Sequence, residues 1–479
     1  MKGESNHLLT TSKFLRFPEA SVAVNLATAL IPTNLFYNNG SIVMKTTVTP
    51  QRATKVRWKI FAIIFILVVI NLIDRVSLSI GMPVIAEELS LSPVMQGIIL
   101  SSFFWSYALL QIPGGWLTDK LGPHKMITGS TLFWGGFQAL AAVATGGISL
   151  LLTRLALGAA ESPLFPAAAK LNSIWLSFHE RGRGAVITDC GGPLGAAVGG
   201  LIIAHMIAQL GSWRLVFAIA GGVTILLSWV AWRYLHDDPR KHPGVNTAEL
   251  THINAPSPQD DTVEETDPEG RVYRFGASGR LLTPILCGRA CWAMIYFGLL
   301  TWGPNYLSHA KGLDLISIGN ATFFIFMSAM AGSLSGGFLM DYFVKSGFNQ
   351  QRILKFLLTF SGTCTLVAFL TLQSITSAMA AVVVLSIAAF FLMWGSLYWS
   401  IPPLLVTKSK VGIVGGVMNM AGSTGGICVP IIVGLLLQTT GNYDFVLYFF
   451  AFCAVGYTLG NVFISLKDKN RGVVCITVQ

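Results

Sequence analysis

The chain has 479 residues, of which 53% are hydrophobic and 11% charged, with a formal net charge of +10. A soluble domain carries about 25% charged residues to cover its surface, so this composition excludes a water-soluble enzyme or a soluble nucleic-acid-binding domain. The basic residues sit in short clusters between long apolar runs, where they orient membrane spans rather than form a patch for nucleic acid.

Residues 1–57 read as an N-terminal extension, expected to be cytoplasmic and disordered. Ser21 to Pro32 is mildly apolar, too short to span, and lacks the basic flank of a signal peptide. Met44 begins a polar, basic stretch (Lys45, Arg52, Lys55, Arg57, Lys59) that leads into the first long apolar run. Residues 1–43 are therefore expected to lie upstream of the membrane-embedded part.

A membrane-crossing helix needs roughly 20 mostly apolar residues, because lipid offers no partner to free backbone N–H and C=O groups. Spans are expected near 58–80, 95–117, 125–146, 148–170, 184–209 and 213–235, which make residues 58–235 an N-terminal six-helix half. Residues 236–283 form a cytoplasmic linker. Its stretch to about Gly279 contains Asp237-Asp238-Pro239 and the acidic run Asp260 to Glu269, and is expected to be mostly disordered for want of apolar residues. Further spans near 284–308, 316–340, 350–372, 376–400, 411–438 and 443–466 make residues 284–466 a C-terminal half, followed by a cytoplasmic tail at 467–479. The expected fold is an all-α polytopic membrane protein of about twelve helices in two pseudo-symmetric halves.

Orientation follows from the basic residues. With the N-terminus inside, the inner loops hold Lys120, Lys125, Arg181, Arg183, Arg240, Lys241, Lys345, Arg352, Lys408 and Lys410, while the outer loops hold Glu87, Glu88, Arg214, Lys311, Asp314 and Asp444. Lys and Arg favour the cytoplasmic side, so both termini are expected there. The compact core and short outer loops favour a bacterial inner membrane.

The two halves share a motif. After the second span stand Gly115, Asp119, Lys120, Gly122, His124 and Lys125; after the eighth, Gly337 and Asp341 repeat the G-x-x-x-D core. A lone Gly and Asp at a helix end are commonplace, but two copies at matching places are not. The pattern resembles the major facilitator superfamily, whose loop between spans two and three carries G-x-x-x-D-[RK]-x-G-x-[RK]-[RK]; His124 is the departure. The resemblance covers about Trp58 to Leu466 and implies structural or gating roles for Gly115, Asp119, Lys120, Gly122, Lys125 and Asp341.

Charges at bilayer depth cost about 2.5–3.5 kcal/mol even on lenient insertion scales, so they demand a reason. The first span carries Asn71, Asp74 and Arg75, and the fourth carries Arg154 and Glu161. Arg154 and Glu161 are two turns apart, so they point the same way, and all four charges are expected to face one central cavity. Self-neutralising ion pairs that lock helices together are the bland reading, which suits Arg154 or Arg75. Arginine also offers a planar fork matched to a carboxylate, and a buried carboxylate can take up a proton.

These residues are similar to the anion:cation symporter branch of the superfamily, which includes bacterial galactonate, glucarate and hexuronate transporters and sialin. The Asn-x-x-Asp-Arg of span one, Arg154, Glu161 and the following Ser-Pro-x-Phe-Pro carry the likeness, with His179-Glu180-Arg181 in the next loop. The resemblance implies Asp74 and Glu161 as proton sites, Arg75 and Tyr107 as substrate ligands, and Ser396, Trp399 and Asn419 as contacts from the C-terminal half. Asp189 departs from the branch, where an uncharged polar residue is usual. His205 and Arg289 read as snorkelling or cavity-rim residues.

The expected function is proton-coupled symport of an organic anion by alternating access, sugar acids first, with lipid, the anion and protons as partners. No cofactor or metal is called for, and a monomer is expected. Uptake of another carboxylate (an aromatic acid such as phthalate or hydroxyphenylacetate, or tartrate or allantoate), export of drugs or metabolites, and a non-translocating receptor are the rivals. A membrane enzyme is disfavoured, since no HxxxD, DxD or HExxH arrangement occurs.

Overall fold

The structure is a computed structural model that describes residues 33–38, 41–46, 52–177, 180–254, 279–402 and 411–464. Two compact units, 1–52 and 53–479, divide the chain. In the first, β1 (Thr33–Asn38) and β2 (Ser41–Thr46) pair antiparallel, Thr33 opposite Thr46 and Asn38 opposite Ser41. The extension, expected to be disordered, thus holds at least this paired hairpin.

The second unit is a helical bundle. Its N-terminal half comprises α1 (Val56–Glu88), α2 (Pro93–Leu121), α3 (Pro123–Leu140), α4 (Gly147–Glu161), α5 (Leu164–Trp175), α6 (Arg181–Leu210) and α7 (Trp213–Tyr234). A short helix, α8 (Thr247–Ile253), follows, and then the C-terminal half: α9 (Gly279–His309), α10 (Leu315–Lys345), α11 (Gln350–Leu372), α12 (Ala378–Leu392), α13 (Val411–Thr440) and α14 (Tyr443–Val462). Side-chain caps start several of them: Ser92, Ser212 and Ser377 each accept a backbone N–H three residues on, satisfying amides that the helix cannot.

Eleven helical stretches among the described residues are long and apolar enough to cross a membrane. The twelfth expected span is α3, whose 18 residues are diluted by His124, Lys125, Gln138 and three glycines. It packs along α7 in the bundle all the same.

The halves repeat each other in their packing. α1 lies on α6 as α9 lies on α13, α3 on α7 as α11 on α14, and α2 on α4 as α10 on α12. Across the interface α2 meets α13 and α6 meets α10. Glycines permit these approaches: a Cβ on Gly97 would sit 2.3 Å from the Pro430 carbonyl, and one on Gly319 would sit 2.4 Å from Ala204. With the Gln96–Asn305 hydrogen bond (2.9 Å) and Ser101 donating to the Ile427 carbonyl (2.6 Å), these contacts close the bundle toward the end where α2 begins.

Two spans break where the site lies. The fourth is interrupted after Glu161 by Ser162-Pro163 before α5 begins. The tenth tightens from α12 into a 3-10 helix over Met393–Ser400, a geometry that, inside a helix, often marks a hinge.

The segment expected to be a disordered linker is ordered through Asn254. Asn246 caps α8, and Glu249, fully buried, accepts from the backbone N–H groups of Val56 and Arg57 at the start of α1. That start has no cap of its own, which is why a remote carboxylate is held there. Residues 255–278 lie outside the described residues.

Gly122 joins α2 to α3 with φ +90°, and an added Cβ would fall 2.4 Å from Asp237 Oδ2. Asp237 in turn accepts from the His124 N–H at 2.7 Å. Gly122→Ala is therefore expected to destabilise the protein by about 2–4 kcal/mol, from the left-handed backbone and the displaced cap together. The check is the apparent melting temperature of purified protein; an unchanged value would remove this role from the motif.

Candidate functional site

Successive residues on an α-helix are rotated by about 100°, so Asp74 and Arg75 leave α1 in different directions. Arg75 Nε donates to Glu161 Oε2 at 2.9 Å, with Glu161 inaccessible and 12% of the Arg75 side chain accessible. The guanidinium lies 4.4 Å from the Phe103 ring and 4.7 Å from that of Tyr107, and those two rings stack at 5.4 Å. Arg75 Nη2 carries no hydrogen bond. Asn71 stands beside Glu161 on the same side. Across the interface, Phe104 meets Phe297 of α9 at 4.7 Å, and Tyr296 of α9 is within electrostatic reach of Arg75. The Arg75–Glu161 pair thus faces the other half.

Asp74 turns into the N-terminal half. It is fully buried, and its Oδ2 accepts from Trp134 Nε1 of α3 at 2.9 Å and Thr224 Oγ1 of α7 at 3.2 Å. Arg154 Nη1 donates to the Asp74 carbonyl at 3.4 Å, and the guanidinium rests 5.2 Å from the Phe217 ring. The expectation that four charges share one cavity is therefore corrected to two groups. Arg154 and Glu161 do lie on one side of α4, but two turns set them at different depths, about 10 Å apart along the axis.

From the C-terminal half, Asn419 Nδ2 donates to Gln111 Oε1 of α2 at 3.2 Å. Ser396 and Trp399, three apart in the 3-10 segment, share a face; Ser333 donates to Ser396 at 3.3 Å, and Trp399 is 47% exposed. Arg289 corrects the rim expectation: it is only 8% exposed and lies 4.1 Å from the Trp292 ring and 5.6 Å from that of Trp399. His205 is half-buried, its Nδ1 on the Leu201 carbonyl. Asp189 is exposed on α6, three turns from Gly200, and so on the face that meets Thr322 of α10.

The motif residues lie apart from this region. Asp119 pairs with Lys170 of α5 at 2.9 Å, Lys120 lies 5.1 Å from the Trp116 ring, and Gly115 faces Pro166. Lys125 and Asp341 are exposed, and no ion pair of Asp341 matches that of Asp119 among the described residues. Among those residues, too, no group of three His, Cys, Asp or Glu side chains converges to hold a metal.

Trp134, Thr224, Gln111 and Phe103 carry the site but do not stand out in the sequence. A Trp or Thr in an apolar run reads as packing. The one available signal was the need of a buried carboxylate for donors.

The model of the Major Facilitator Superfamily matches residues 64–430. A probable galactarate/D-glucarate transporter of Escherichia coli strain K12, GarP, is 30% identical over 85% of this chain and 94% of its own length. A D-galactonate transporter of Escherichia coli O6:H1 is 30% identical over 86% of this chain and 96% of its own. The crystal structure of a bacterial homologue of the human lysosomal transporter Spinster, inward-facing and occupied, matches the fold with TM-score 0.67 at 16% identity, covering 86% of this chain and 97% of that one. The chain belongs to the major facilitator superfamily, as a multi-pass membrane transporter and not an enzyme, with sugar-acid transporters among its relatives.

Proposed function

We propose that this protein imports an organic anion, sugar acids first, together with protons. The observation that carries the reading is the Arg75–Glu161 pair: a guanidinium, partly accessible and facing the other half, neutralised by a wholly buried carboxylate. Protonation of Glu161 removes the internal competitor and frees Arg75 to take a substrate carboxylate through its fork. Loss of the proton restores the pair and expels the anion. Asp74, bonded to Trp134 and Thr224, serves as a second proton site on the side of α1 turned away from the pair. Tyr107, Ser396, Trp399 and Asn419 complete the ligand set, while Arg154 holds α1 to α4. Gly115, Asp119, Lys120, Gly122, Lys125 and Asp341 act at the gate.

The relatives' sugar acids support this substrate class. With both termini cytoplasmic in a bacterial inner membrane, the packed end where α2 begins is the outer one, so the arrangement described is inward-facing. Alternating access then consists of rocking the two halves about the pair, in a monomer.

The test is uptake of radiolabelled galactonate or galactarate into proteoliposomes with and without an inward proton gradient. Gradient-driven accumulation above the external concentration is expected. Uptake indifferent to the gradient would overturn the coupling, and no sugar-acid uptake by folded protein would overturn the substrate class.

A further inference from the structure

Arg289 is a buried cation whose partners are all neutral. It is 8% exposed, on α9 in the C-terminal half, and its Nη1 carries no hydrogen bond. It takes part in no ion pair among the described residues. Its surroundings are aromatic: Trp292 at 4.1 Å, Trp399 at 5.6 Å and Tyr398 at 5.9 Å from the guanidinium carbon. The nearby titratable side chains are the neutral phenols of Tyr398, Tyr457 and Tyr296, with no carboxylate among them. Tyr398 already donates to Asn461 at 2.6 Å. Opposite the guanidinium, α13 presents Gly422, whose added Cβ would lie 3.5 Å from Arg289 Nε. A ring cage attracts a desolvated cation, but it recovers only part of what burying an unpaired charge costs. The balance calls for an anion.

Tyr296 connects this cage with the Arg75 site. Tyr296 stacks on Trp292 at 5.3 Å and 6°, and it lies within electrostatic reach of both Arg75 and Arg289. One tyrosine thus lies near a guanidinium of each half. Trp399, on the edge of the Arg289 cage, is 47% exposed, so the cage opens on one side.

We propose that Arg289 is the second anion-binding residue of the transport site, and that the substrate is a dianion with an acid group at each end, one held by Arg75 and the other by Arg289. This rests on the anion-transport reading above and narrows it to diacids such as aldarates. A ligand bridging the two arginines also ties the halves together, so that the diacid favours the closed arrangement more than a monoacid does.

The experiment compares kcat/KM for galactarate, a diacid, with that for galactonate, a monoacid, in proteoliposomes of wild type, Arg289→Gln and Arg289→Lys. Arg289→Gln is expected to lower the galactarate-to-galactonate ratio about 10- to 100-fold, the size of one charge-assisted pair. Arg289→Lys should recover part of the loss. An unchanged ratio, whether both rates fall or neither does, would overturn the assignment and make Arg289 structural. Wild-type uptake of galactonate without galactarate would overturn it too, leaving the transport reading standing; uptake of neither would overturn both. If the variants do not fold, quenching of tryptophan emission in the wild type decides. Galactarate should saturate it at lower concentration than galactonate, and equal affinities would count against the proposal.

Discussion

Glu161→Gln is expected to abolish proton-driven accumulation of the anion while leaving exchange of the anion across the membrane measurable. The amide keeps the shape of the carboxyl and an oxygen for Arg75 Nε, which now sits 2.9 Å from Glu161 Oε2. It cannot pick up a proton on one side and release it on the other. Each pH unit of gradient stores about 1.4 kcal/mol per coupled proton, a tenfold concentration ratio. With one unit imposed, the wild type should therefore concentrate the anion about tenfold or more and the variant should only equilibrate it. In the wild type, anion affinity should also rise as external pH falls, because protonation of Glu161 frees Arg75; in the variant that dependence should flatten. Arg75→Ala provides the contrast. It removes the carboxylate ligand and leaves Glu161 buried without its counter-charge, so both accumulation and exchange should fall by at least about 100-fold. Accumulation surviving in Glu161→Gln would move the coupling proton elsewhere, with Asp74→Asn the next variant to measure.

The sequence carried the fold further than it carried the site. Long apolar runs and basic loops are dictated by lipid at every residue, so most span ends could be read to within about five positions; 350–372 coincides with α11, whereas the first, read as 58–80, runs on to Glu88. Which way a side chain leaves its helix depends on neighbours distant in sequence. Asp74 and Arg75 are adjacent, yet one meets Trp134 and Thr224 and the other Glu161 and Tyr107. Helical phase alone separates the two directions but does not say which faces the other half. Arg289 was legible as a charge in an apolar run. Its aromatic cage, built from α9 and the 3-10 turn about a hundred residues on, was not. The ordered linker escaped for a similar reason: its charge-rich composition suggests disorder, and only the amides of α1 give Glu249 a purpose.

That purpose gives the last expectation. Glu249→Ala should lower the apparent melting temperature by about 5–10 °C. Glu249 is wholly buried and accepts hydrogen bonds from Thr54 Oγ1, from the backbone N–H groups of Val56 and Arg57, and from Arg57 Nη1 at 2.9 Å. Arg57 is shared with Glu180, whose two oxygens it meets at 3.0 and 3.1 Å. His252 of α8 reaches the same Glu180 at 3.2 Å. Burial pushes the Glu180 carboxyl up, but its bonds to Arg57 and His252 outweigh this and hold it below the ordinary glutamate range. One cluster thus ties the start of α1, the loop before α6 and the segment leading to the C-terminal half. Removing Glu249 orphans two amides and half of a buried ion pair, a loss of about 3–5 kcal/mol, and a large domain shifts by about 2 °C per kcal/mol. Glu249→Gln should lose less, since its carbonyl still caps the amides while its charge is gone. A cycle with Arg57→Ala separates the two contributions: coupling of at least about 1 kcal/mol is expected for residues in one network. Additive losses would mean that Glu249 serves α1 as a cap alone and that the ion pair adds nothing to the tie.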